Sequence, residues 1–347
     1  MRTPPCRMAL TILSLLWAIN LQAQTAKDLE HTFQSEVFGT ERQIRIHLPE
    51  PYFVDTTQPF VVTYVLDAQF DEFWYMAKSN ISYLVINRQI LPMIVVGVVS
   101  EDRSAEFRPD GTALRRHLRE EVMPWVNAQY RVADFNVLIG HSWAGAFIGS
   151  TLFGADRDLF DAYIGISPSL DAYDYVILEQ ADSILQVDTD LKKFFYCSAG
   201  ELGYREMESI DGILKMDSLL QEHPNKSLAW EWQQFKGTDH WTCVIPSMND
   251  GLLKMSRNYF ADQYVLTEMA RNSALTLQEQ MELFYQEKVE TFGYVYWPGA
   301  RYLRFVASDL KNTGDLKAAA ILYEMVVKED PDYFQAWFQL ADVLDQL

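Results

Sequence analysis

Val137-Leu138-Ile139-Gly140-His141-Ser142-Trp143-Ala144-Gly145 is the stretch that decides the fold. Three branched apolar residues run into Gly140, and only small residues stand two positions to either side of Ser142. A buried strand that turns abruptly into a helix has this composition. The turn crowds its own backbone, so Gly or Ala is needed beside a residue held in a strained conformation. Such a turn lifts a serine hydroxyl clear of the sheet, which is the setting of a nucleophile elbow. The usual spacing is Gly-x-Ser-x-Gly, and Ala144 stands where the second Gly is expected.

Outward from this turn, residues 60–66 (FVVTYVL), 93–99 (MIVVGVV), 136–139 and 163–166 are near-continuous apolar runs. Strands read this way when helices cover both faces of a parallel sheet. Between them lie amphipathic stretches such as 114–129. Upstream, 32–37 and 43–48 alternate polar and apolar residues around Phe38-Gly39-Thr40 and predict an antiparallel hairpin at the sheet edge. Downstream, the alternation continues through a strand at 192–197, a helix at 207–221, a strand at 228–235 and a helix ending near Tyr259. Strand and helix in turn predict the α/β class, with a mostly parallel sheet and helices on both faces.

Beyond Asp262 the pattern is helical only, which predicts an α/β domain over 28–262 and a small all-helical C-terminal unit over 276–347. Leu303, Val306, Ala307 and Leu310 recur 34 residues later as Trp337, Leu340, Ala341 and Leu344, with Gly314 at a turn and Pro331 ending a helix. A period of this length marks stacked helix pairs and resembles a tetratricopeptide repeat. One repeat cannot bury its own apolar face, so it is expected to pack on the α/β domain, on a protein partner or on a second copy of the chain.

Composition narrows the function. The chain has 347 residues, 49% of them hydrophobic, and a formal net charge of -19. That charge argues against nucleic acid as a partner, since such affinity rests on clustered Lys and Arg. Residues 1–23 read as a cleavable signal peptide: Arg2 and Arg7 precede an apolar stretch, and Ala23 offers a small residue for cleavage. A periplasmic or secreted protein with no transmembrane segment in the mature chain is therefore expected. Cys197 and Cys243 are the two cysteines beyond that leader, either buried thiols or a single bridge.

A serine hydroxyl needs a base to take its proton. His223 lies in a polar helix end, whereas His240, in Gly237-Thr238-Asp239-His240-Trp241, lies in a loop after a strand and is assigned as the base. The acid that orients it is expected after the strand ending at Cys197. Glu201 is the first choice because it follows that strand at once, with Glu206, Glu208 and Asp239 as rivals. Oxyanion donors are expected from the N–H of Trp143 and from that of Ala68 or Gln69, in the loop after the first parallel strand. Arg103 and Arg108 follow the 93–99 strand, either as solvated loop charges or facing an anionic substrate. Arg103, Ser169 and His141 are the candidate substrate contacts. No His-Glu-x-x-His or paired Cys-x-x-Cys run occurs, and neither a metal nor another cofactor is expected.

Taken in order, VTYVLDAQF (62–70), IVVGVVSEDR (94–103), LREEVMPWVNAQYR (118–131), LIGHSWAG (138–145), GISPSL (165–170), CSAGE (197–201) and GTDHWTCVIPSMNDGL (237–252) resemble the esterase D family of serine esterases, a branch of the α/β hydrolases. The resemblance covers most of the span from Thr32 to Tyr259. It implies a metal-free acyl-enzyme mechanism, with Ser142 as nucleophile and His240 as base. LDAQF and SEDR resemble the siderophore-esterase branch most, which implies a ferric catecholate ester as substrate. A carbohydrate ester of the feruloyl or acetylxylan type is the alternative, as are acyl transfer to an alcohol and a lapsed hydrolase acting as a scaffold. Ala144, and Asp171-Ala172-Tyr173 where relatives often place bulky aromatics, depart from the family pattern and bear on substrate preference.

Overall fold

The computed structural model describes residues 25–54, 58–272 and 274–347, so the expected signal peptide lies outside the described residues. Eight strands form one sheet in the order β1-β2-β4-β3-β5-β6-β7-β8. They are β1 (Lys27–Gln34), β2 (Glu41–Leu48), β3 (Phe60–Val65), β4 (Met93–Val98), β5 (Val132–His141), β6 (Ala162–Ile166), β7 (Lys193–Leu202) and β8 (Leu228–Asp239). β2 is antiparallel to both of its neighbours, β1 and β4, and the other pairs are parallel. This is the α/β-hydrolase arrangement.

β3, β4 and β6 are buried along their whole length, in keeping with their near-continuous apolar runs. The pleat divides each strand between two cores. Phe60, Val62 and Tyr64 join one, and Val61 and Val65 join the other. Helices α1 (Asp71–Ile86) and α6 (Val244–Tyr259) cover the second face through Trp74, Ile81, Met248 and Leu252. The first face is covered by α2, made of Ala113–His117, a π-helical turn at Leu118–Val122 and Met123–Gln129, together with α3 (Trp143–Leu152), α4 (Ala172–Leu185) and α5 (Tyr204–Glu222). The amphipathic stretch at 114–129 is thus helical but not uniform. Pro124 has no N–H to donate and its ring crowds the carbonyl one turn back, which the wider π turn relieves.

Five helices follow: α7 (Gln263–Arg271), α8 (Leu277–Phe292), α9 (Ala300–Asn312), α10 (Leu316–Glu329) and α11 (Phe334–Gln346). They share a core of their own that includes Leu266, Met281, Leu303, Val306, Tyr323 and Leu340. An aromatic connector fixes them to the body. Tyr294 packs on Phe135 with ring centroids 4.7 Å apart, Tyr302 on Phe260 at 4.7 Å, and Tyr296 N–H donates to Tyr259 O at 2.8 Å. Of the two sets of residues that recur 34 apart, Leu303, Val306, Ala307 and Leu310 are buried. In the second set only Leu340 is, while Trp337 and Leu344 are exposed.

Candidate active site

Ser142 lies between β5 and α3 with φ 61° and ψ -115°, a conformation few residues other than Gly adopt. Neighbouring elements hold it there. Its N–H donates to Ile166 O at 2.9 Å, and its carbonyl accepts from Ala146 N and Ser169 N, each at 3.1 Å. The small residues around it are explained by contact. A Cβ on Gly140 would meet Ala144 atoms at 2.8 Å, and one on Gly145 would meet Pro168 Cβ at 2.6 Å. Ala144 is accommodated because residue 140 has no side chain to compete with it.

His240 follows β8 and is buried. Its Nδ1 stands 2.6 Å from Glu206 Oε1. A carboxylate can only accept, so Nδ1 carries the proton and Nε2 of the neutral ring presents its lone pair. Nε2 is buried without a hydrogen-bond partner among the described residues. Glu206, 1% exposed, is held at its other oxygen by the Ser167 hydroxyl at 3.0 Å and by Gly200 N–H. Burial pushes its carboxyl up, but the bonds from His240, Gly200 and Ser167 outweigh burial and hold it below the usual glutamate range.

Glu201, the acid favoured from sequence, is not on His240. β7 does not end at Cys197 but pairs with β8 as far as Leu202, with a bulge between Gly200 and Leu202, so Glu201 still belongs to the strand. It is exposed and accepts Gly237 N–H at 2.9 Å. Glu206 lies five residues on, in the first turn of α5, where the helix start turns it inward. Asp239 instead caps the next turn, accepting from Trp241 N and Thr242 N at 3.0 and 2.9 Å. Glu208 lines the cavity beside Tyr204. Ser167 and Gly200 escaped the sequence reading, because no local pattern says that two strand ends will close around one carboxylate.

Of the two expected donors after β3, the Ala68 N–H is already committed to Val98 O at 3.1 Å, which corrects that assignment and leaves Gln69 N–H. Trp143 N–H belongs to the first turn of α3, where a helix leaves its amides unpaired. Gln69 is fixed by its own side chain, which donates to Asp67 Oδ1 at 2.8 Å and accepts Ser100 N–H at 3.0 Å. Arg103 does line the cavity, but both Asp67 oxygens claim its guanidinium, at 2.5 and 2.8 Å. Its charge is therefore neutralised by a buried carboxylate and steadies the loop that carries Gln69. Arg108 pairs with Asp110 at 3.0 Å on the surface.

His141 donates from Nε2 to the His240 carbonyl at 2.8 Å, and its ring centroid lies 4.5 Å from that of His240. Burial, with the neighbouring His240, pushes its pKa down to about 3, so it stays neutral. Ser142, His141, Ser169, Arg103 and His240 open onto one cavity of about 950 Å³ rimmed by Phe70, Trp143, Tyr173 and Trp241. Cys197 and Cys243 are free buried thiols, not a bridge. Burial raises the pKa of both, and Cys243 Sγ lies 3.1 Å from Ser167 Oγ. Among the described residues no helix is long and apolar enough to cross a membrane.

The chain is similar in fold to an IroE-like serine hydrolase from Shewanella oneidensis, with TM-score 0.70 and 21% identity over 86% of this chain and 99% of that one. It is also similar to the siderophore hydrolase EstB from Aspergillus nidulans (0.58, 17%, 70% and 98%) and to the enterobactin esterase FES from Shigella flexneri (0.57, 19%, 70% and 62%). No curated protein matches it. Residues 35–255 match the model of the esterase family described as "Putative esterase", and with well over half of its length covered the chain belongs to that family.

Proposed function

We propose that the protein hydrolyses carboxylic esters through an acyl-enzyme on Ser142. The observation that carries this reading is the His240 ring, held at Nδ1 by a buried carboxylate and unpaired at Nε2, in the same cavity as a serine at φ 61°. His240 Nε2 takes the Ser142 proton as Oγ bonds to the ester carbonyl carbon. The oxyanion so formed meets the N–H groups of Trp143 and Gln69. His240 returns the proton to the leaving alkoxide as the ester C–O bond breaks, then activates water to release the acid. Glu206 stays ionised, fixing the tautomer and stabilising the imidazolium.

A siderophore-type ester, a ferric catecholate, is the favoured substrate. Its support is the resemblance in LDAQF and SEDR, the aromatic rim, and Arg205, which lines the cavity with no carboxylate partner among the described residues. Neutralisation of Arg103 by Asp67 removes that residue as an independent cation for such a substrate. Action in the periplasm or outside the cell rests on the composition of residues 1–23 alone.

Fluorophosphonate labelling followed by mass spectrometry tests the nucleophile. Labelling at Ser142, lost in Ser142→Ala together with p-nitrophenyl acetate turnover, is the expected result, and an unlabelled Ser142 in folded protein overturns the reading. Comparing a triscatecholate lactone with feruloylated and acetylated sugars then decides the substrate class.

A further inference from the structure

A second cavity, of about 300 Å³, lies in the seam between the body and the C-terminal helices, where Ile90 and Pro92 lead into β4. Arg88 of the body and Arg301 and Arg304 of α9 line it. Three guanidiniums in one small cavity are conspicuous in a chain with 29 basic and 48 acidic side chains. Several other arginines are neutralised by acids, as at Arg42, Arg103, Arg119 and Arg271. Among the described residues, Arg88, Arg301 and Arg304 have no carboxylate partner within 4.0 Å.

We propose that this cavity binds a small ligand bearing a multiply charged oxyanion group, with phosphate as its simplest form, and that the bound anion ties the helical tail to the esterase body. Each guanidinium carbon lies over an aromatic ring. Arg88 lies 4.7 Å from the Phe305 ring centroid, and Arg301 and Arg304 lie 5.8 and 5.6 Å from that of Tyr333. Stacking fixes each cation while leaving its N–H edge available to an oxyanion. Arg304 spends one nitrogen on Gln339 Oε1 at 3.2 Å, yet its Nε is buried without a partner among the described residues. Such an atom carries a desolvation cost that a bound oxyanion would remove.

The start of α9 adds positive potential here. α9 begins at this cavity, and its N-cap, Gly299, offers no side chain to its first amides. Partial desolvation, and then the like charge of the neighbouring Arg304, lowers the pKa of Arg88, which keeps part of its surface exposed. Glu50 is the carboxylate in the lining, and it forms no ion pair with any of the three.

Calorimetric titration of the purified protein with sodium phosphate, against chloride at matched ionic strength, tests the site, and thermal melts provide a second readout. Saturable binding and a phosphate-specific rise in Tm are expected. Arg301→Gln and Arg304→Gln should each weaken binding by about 10- to 100-fold, the loss of one charge-assisted bond. Circular dichroism checks the fold of each variant. If Arg304→Gln does not fold, Arg88→Gln, on an exposed residue, carries the same test. No phosphate effect beyond that of chloride, or an effect unchanged in the folded variants, overturns the proposal, because the cluster would then be a stacking device alone.

Discussion

Glu206 Oε1 and His240 Nδ1 stand 2.6 Å apart across 34 residues of chain, and the carboxylate that makes this contact is almost wholly excluded from solvent. Ser167 and Gly200 N–H take its second oxygen, so it has one orientation and one partner ring. A carboxylate so enclosed can hold the imidazole in a single tautomer throughout a reaction.

Glu206→Gln should therefore lower kcat on p-nitrophenyl acetate by about 10³- to 10⁴-fold, since an amide at this place permits the wrong tautomer. Glu201→Gln, on the exposed residue bonded to Gly237 N–H, should leave turnover near that of the parent protein. Steady-state kinetics of the two variants separates the candidate acids. The reverse ranking would return the role to Glu201.

The elbow makes an asymmetric prediction. Gly140→Ala places a Cβ 2.8 Å from Ala144 atoms and should cost about 1–3 kcal/mol of stability by overpacking. Ala144→Gly restores the common spacing and should cost only about 1 kcal/mol for a glycine within α3. Denaturant midpoints and turnover would show the first variant impaired in both and the second still active.

The Asp67–Arg103 pair steadies the loop that presents Gln69 N–H. Arg103→Leu strands a buried carboxylate, and because Arg103 is itself partly exposed the loss should fall below the roughly 3–5 kcal/mol typical of a fully buried pair. Asp67→Asn, which removes the stranded charge at a left-handed φ of 66° that Asn tolerates, should when added to Arg103→Leu recover part of that stability without restoring kcat. A double-mutant cycle in Tm, with kcat measured on each variant, checks both statements.

Acid should weaken the fold through His141. Its pKa is about 3 in the native protein against an ordinary 6.5, so between these values the unfolded chain binds a proton that the native one does not. This contribution to stability is complete above 6.5 and is lost progressively as pH falls towards 3. Glu206 acts the same way at the lower end. Its depressed native pKa adds stability present above its ordinary 4.5 and lost as pH falls through the native value. His141→Gln, which keeps a donor for the His240 carbonyl, should give a flatter decline of the urea midpoint below pH 6.5. An unchanged decline would remove His141 as a source of the acid sensitivity.

The layered α/β architecture and the turn at Ser142 were legible in the sequence because both are local. Near-continuous apolar runs such as FVVTYVL report two-sided burial directly, and Gly140 and Gly145 report a crowded turn before any neighbour is known. The acid was not legible. Glu201 and Glu206 are five residues apart and chemically identical, and the choice depends on where β7 stops.

The sequence by itself therefore determined the order of strands and helices, the serine turn and the loop histidine, because each is written in periodicity and residue size over a few neighbouring positions. The tertiary structure alone decided that β7 runs on against β8 to Leu202 and carries Glu201 outward, that α5 turns Glu206 in towards His240, that Ala68 N–H belongs to Val98, and that Arg103 belongs to Asp67. Each is a contact between segments far apart in the chain, set by strand pairing and burial, which local sequence does not encode.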